Sequence, residues 1–108
     1  MTFEELEKKV IEWADDRDLF KHSVDIDQYY KLGEEFNELG RALWGFHLTS
    51  TEEEFLKIKD GIGDMLVVLT MIAGLNGTTL SECYELAYNQ IKDRKGKMIN
   101  GIFVKEEK

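Results

Sequence analysis

The sequence has no proline in 108 residues, where average usage of about 5% would supply around five. Helix interiors tolerate proline least, so its absence favours helices. Cysteine is almost missing as well. Cys83 stands alone, which excludes an intrachain disulfide and a thiolate-based metal site, and it reads as a reduced core residue of a cytoplasmic protein. No apolar run is long: Met65 to Leu75 covers 11 residues with Thr70 and Gly74 inside it, too short to span a bilayer. The opening MTFEELEKKV is charged early and has no apolar signal core. Bases are outnumbered by acids, 14 against 22, for a net charge of −8. That balance argues against polymeric nucleic acid and anionic membranes as partners and leaves metal cations and metal-chelated anions. The length fits one domain, residues 1–108, small enough for an oligomer interface to contribute to its stability.

What the chain does have is helical punctuation. Four cap residues are each followed three positions later by Glu or Gln: Thr2 with Glu5, Asp25 with Gln28, Thr51 with Glu54, and Thr79 with Glu82. This reciprocal pairing satisfies orphan amides in a first turn. Breaks at Lys21 to Ser23, at Gly45 and at Asn76-Gly77 separate the segments, predicting helices over 3–19, 26–44, 52–75 and 80–95. The tail from Lys97 to Lys108 places Ile99, Ile102, Phe103 and Val104 around Asn100-Gly101, as a small hairpin or an extended arm. The expected fold is therefore all-α, a four-helix bundle-like protomer with a short C-terminal extended tail.

Helical stripes support this: Phe3, Leu6, Val10, Ala14 and Arg17 on the first helix, Leu32, Phe36, Leu39 and Leu43 on the second, Leu80, Tyr84, Ala87 and Ile91 on the last. The third helix is apolar all round from Met65 to Leu75, which predicts burial between chains in a homodimer or homotetramer.

Acids and glycines interrupt the second and third helices where a purely structural design would not place them. Glu35 lies about 60° off the apolar seam with Glu38 on the same flank. On the next helix Asp60 and Asp64 are four apart and continue into a face with Val67, Val68 and Met71. Gly33 and Gly40 bracket the first pair, and Gly61 and Gly63 sit within the second. Facing carboxylates repel unless a cation neutralises them, and clustered carboxylate oxygens suit Mg²⁺ or Mn²⁺. Alternatively the acids lie on a solvated face and the glycines only allow close helix contact.

The run Lys31-Leu32-Gly33-Glu34-Glu35-Phe36-Asn37-Glu38-Leu39, followed by Asp60-Gly61-Ile62-Gly63-Asp64-Met65-Leu66, resembles the paired E-x-x-E and E-x-x-D motifs of the all-α nucleoside triphosphate pyrophosphohydrolases of MazG type. The short MazG-like proteins of phages and Gram-positive bacteria are the most similar. The resemblance runs from about Val10 to Met98 and departs at Gly61, where that family has the first acid of E-x-x-D.

The resemblance implies a Mg²⁺-dependent hydrolase that converts a nucleoside triphosphate to the monophosphate and pyrophosphate. Glu35, Glu38 and Asp64 carry over as catalytic, metal-holding acids, with Asp60 as a substitute for the acid missing at Gly61. Glu34 or Glu38 would orient the attacking water. Near the end of the last helix only Arg94 matches the family's basic residues; Lys92 joins it on charge as a phosphate grip, though bases there also complement a helix dipole. Trp44, His22 and Trp13 lie near the helix ends where that family forms its nucleobase pocket. The alternative is a non-catalytic MazG-like helical protein that lost activity with the acid at Gly61.

Overall fold

The computed structural model describes residues 1–106; Glu107 and Lys108, the last two of the predicted tail, lie outside the described residues. The fold is an all-α bundle with a short C-terminal extended tail. Helices α1 (Phe3–Asp16), α2 (Leu19–His22), α3 (Asp25–Thr49), α4 (Glu52–Leu75) and α5 (Leu80–Ile91) precede the strands β1 (Gly96–Ile99) and β2 (Ile102–Lys105). The α3–α4 pair forms the main body, with α1, α2 and α5 packed on α4.

Three of the four expected caps form. Glu5 N donates to Thr2 Oγ1 at 3.1 Å, Glu54 N to Thr51 Oγ1 at 3.3 Å, and Glu82 N to Thr79 Oγ1 at 3.1 Å. The fourth does not. Val24 caps α3 without a side-chain bond, Asp25 is already helical, and Gln28 Nε2 donates instead to Ser23 Oγ at 2.9 Å. Asp25 accepts from Asn76 Nδ2 at 3.2 Å, tying the start of α3 to the end of α4.

Several boundaries differ from the sequence reading. The first helix breaks at Asp18, whose φ of 57° reverses the chain before α2. Phe20 of α2 then packs on Gly74, where a Cβ would collide with its ring. Gly45 does not end the second long helix, which continues to Thr49. A Cβ at Gly45 would meet only the flexible end of the Glu54 side chain. The last helix stops at Ile91 rather than 95.

Of the alternatives for the tail, the hairpin is the one formed. Met98 pairs with Phe103 and Ile99 with Ile102. Asn100 and Gly101 turn the chain with φ of 49° and 82°, as a tight turn between twisted strands requires.

Burial is thin. The core is Ala14, Ala42, Val68, Met71 and Ala73, with Glu7, Glu35 and Thr70 beside it. On α3 the stripe expected inward is partly outward: Phe36 and Leu43 are exposed, while Glu35 and Ala42 are buried. The face toward α4 is thus rotated onto the flank that carries the acids. Cys83 is not a core residue; it is exposed on α5, a helix with no buried residue. No described helix is long and apolar enough to cross a membrane.

Candidate metal and phosphate site

The acids sit beside a close contact between α3 and α4. Gly61 lies against Leu39, with only 3.3 Å between the place of a Cβ on Gly61 and the Leu39 Cα. Beside this contact, Glu38 next to Leu39 and Glu35 a turn before it on α3 come together with Asp64, a turn beyond Gly61 on α4. A carboxylate oxygen from each of the three lies within 4.8 Å of the others.

Glu35 is the most constrained of the three, only 7% exposed. Its Oε1 is 3.4 Å from Lys31 Nζ, but its Oε2 is buried without a hydrogen-bond partner. Such an orphaned acceptor costs about 1–3 kcal/mol, more when charged, unless something positive meets it. Lys31 is shared: it also reaches Glu34 Oε2 at 3.4 Å. Hydrogen bonding to Glu35 and then Glu34 holds its ammonium above the usual lysine range.

Asp64 shows the opposite strain. Partial desolvation, then the charges of Glu35 and Asp60, push its carboxyl above the ordinary range, with Lys31 pulling the other way. The donor set is all oxygen and holds more negative charge than the one lysine offsets, which fits a hard divalent cation such as Mg²⁺ or Mn²⁺.

Glu38 and Asp64 open onto a cavity of about 540 Å³ also lined by Arg41, Glu54, Lys57, Asp60 and Gly61. Its size is that of a small-molecule site. Asp60 lines this cavity and lies outside the three-acid cluster. Arg41 and Lys57 were not singled out from sequence, although spacing marks them: Arg41 is three residues beyond Glu38, and Lys57, Asp60 and Asp64 follow one helix face. Lys57 Nζ lies 3.1 Å from Glu54 Oε1, while Arg41 has no ion pair among the described residues.

The other expected site residues are elsewhere. Lys92 and Arg94 follow α5 and do not line the cavity. Trp13 is half exposed, with the Arg17 guanidinium 4.5 Å from its ring centre, and lines a separate groove with Lys9, Val10 and Val67. Trp44 is 71% exposed beside His47. His22 closes the short α2. None of the three aromatic candidates lines the acid cavity in this protomer.

No family model matches the chain, and no solved structure matches it. It is similar to an "uncharacterized 18.2 kDa protein in rep-hol intergenic region" of Haemophilus phage HP1 (strain HP1c1), with 36% identity over 73 residues. The match covers 68% of this chain and 40% of the phage protein.

Proposed function

We propose that the protein is a Mg²⁺-dependent nucleoside triphosphate pyrophosphohydrolase of MazG type, acting in the cytoplasm as a homo-oligomer. The observation that carries this reading is the buried, unpartnered Glu35 Oε2, in a carboxylate grouped with Glu38 of the same helix and with Asp64 of α4. A bound Mg²⁺ would supply positive charge to the phosphate chain and polarise the phosphorus under attack. Glu35, Glu38 and Asp64 would hold it, with Asp60, which lines the same cavity, as the substitute for the acid absent at Gly61. The cavity bases Arg41 and Lys57 take the phosphate oxygens and offset charge on the departing pyrophosphate. Lys92 and Arg94 keep this role only if they arrive from another copy.

Glu38, exposed at the cavity mouth, accepts a proton from the attacking water. The water oxygen bonds to the α-phosphorus, the bond from that phosphorus to the bridging oxygen breaks, and pyrophosphate leaves with the electron pair. Glu34, engaged by Lys31, is less free for this task.

The test is incubation of the protein with Mg²⁺ and a panel of ribo- and deoxyribonucleoside triphosphates while pyrophosphate is measured. Release of monophosphate and pyrophosphate in equal amounts, lost in Glu38→Gln, is expected; no release from any nucleotide would sink the assignment. A second reading, a non-catalytic binding protein on the same scaffold, draws support from Gly61, which lacks the family's acid and lies close against Leu39. It predicts Mg²⁺ or nucleotide binding without turnover in the same experiment.

A further inference from the structure

No Cα of β1 or β2 comes within 8 Å of a helix Cα among the described residues. Among the described residues the hairpin backbone thus stands apart from the helices, and an isolated two-stranded hairpin is marginal at best in water. It is also apolar on both faces. The register puts Met98 opposite Phe103 on one side and Ile99 opposite Ile102 on the other, with Val104 beside them. Met98 is 64% exposed and Ile102 69%. Both outer edges carry unpaired backbone groups, which natural proteins cover or blunt.

Charge and area both point to the cover. Residues 92–108 contain six bases and three acids, leaving residues 1–91 at a net −11. A basic, apolar arm thus follows a strongly acidic helical body. That body has uncovered apolar surface of its own, including a groove lined by Phe3, Leu6, Val10, Leu66 and Val67. The chain exposes 8753 Å², about 2,500 Å² beyond the ~6,200 Å² of a compact monomer of this mass. Its radius of gyration is 16.6 Å against about 13 Å for a compact domain of this length. An excess of that order is what an obligate homodimer buries.

We propose that the hairpin at residues 96–105 is an assembly arm that docks on the acidic helical body of a second copy of this chain. The arm's apolar faces fill uncovered grooves on the partner, and the bases at its root meet the partner's acids. In a closed dimer the exchange is mutual, so each copy gives an arm and receives one. The proposal stands independently of the chemistry in the acid cavity.

The experiment uses the full chain. Light scattering at tens of micromolar, with helicity followed by circular dichroism, compares the parent with the double variant I102K/F103E, which places a charge on each face of the hairpin. The expected result is a parent of at least dimeric mass and a helical variant whose mass falls by about half or more. Hydrogen exchange on the parent gives an answer even if the variant fails to fold. Amides of residues 97–104 should be protected in the oligomer and exchange freely on dilution to the monomer. A monomeric parent, a helical variant of parental mass, or an oligomer with unprotected hairpin amides would overturn the proposal. So would protection that persists in the diluted monomer, since the hairpin would then be folding back on its own chain.

Discussion

Gly61 of α4 and Leu39 of α3 meet with backbone against side-chain base, close enough that a Cβ on Gly61 would sit 3.2 Å from Leu39 Cδ1 and 3.3 Å from Leu39 Cα. A Cβ at 61 requires Leu39 to give by a few tenths of an ångström. For Gly61→Ala this crowding opposes a helix-propensity gain of about 1 kcal/mol, so stability should change by no more than about 1 kcal/mol, whereas the larger side chain of Gly61→Glu should destabilise the fold, although sequence pattern alone would count the glutamate as a restored ligand. Urea unfolding measures both. A Gly61→Glu protein as stable as the parent and more active would show that the contact yields readily.

Mg²⁺ or Mn²⁺ at millimolar concentration should raise the melting temperature, since an ion held only by the folded chain stabilises it by mass action. Glu35→Gln separates two effects. Without metal it removes a buried charge whose Oε2 has no partner, so stability should hold or rise, while the metal-dependent shift should vanish. A metal shift undiminished in Glu35→Gln and in Glu38→Gln would place the ion elsewhere.

The raised carboxyl of Asp64 has a definite pH signature. Its folded form holds a proton more tightly than its unfolded form, so the group's contribution to stability falls as pH rises from the ordinary aspartate range through the elevated folded value. Above that value the full cost of the charge is present. Metal-free Asp64→Asn should thus melt higher than the parent at neutral pH, and the difference should shrink as the solution is acidified toward the ordinary aspartate range. Equal melting temperatures across that window would mean that the carboxylate is freely solvated.

Asp60 lines the cavity and its charge acts on Asp64. If it stands in for the acid absent at 61, Asp60→Asn should lower turnover about ten-fold or more, approaching the loss in Asp64→Asn. Steady-state rates for the two variants decide it. An Asp60→Asn protein of parental activity would remove Asp60 from the site while leaving the other three acids in place.

Glu7, buried on α1, holds the start of α5: its Oε2 accepts from Ser81 N at 3.0 Å and its Oε1 from Ser81 Oγ at 2.6 Å. Hydrogen bonds to an ionised group contribute about 1.5–3 kcal/mol. Glu7→Ala should cost about that much, and Ser81→Ala, which keeps the backbone bond, less. Thermal melts of the two variants give the order, and equal losses would contradict it.

The helices were legible because their signals are local. Thr2, Thr51 and Thr79 each cap the helix that their sequence neighbours announced. Where the reading slipped, a residue far along the chain decided the outcome. Asp25 reads as a cap until Asn76, 51 residues on, engages it. The acid cluster was legible as two spaced pairs, and Glu35, Glu38 and Asp64 do come together. The burial of Glu35 was not, because it follows from the rotation of α3 that the Gly61 contact permits. Cys83 misled for a related reason: its helix has an apolar pattern, but its packing on α1 and α4 leaves no described residue of the helix fully buried.

The link between α3 and α4 is only Ser50 and Thr51, with Ser50 turning the chain at φ 52°. Every side chain of the acid cavity lies on one side or the other of that link, so closing it needs no crossing of distant strands and little loop entropy. Folding should accordingly begin there, with α1 and α5 condensing later. In kinetic terms, Ala42→Gly should slow folding, whereas Ser81→Ala should chiefly hasten unfolding. Chevron plots of the two variants would show whether the cavity is the nucleus of the fold or its last acquisition.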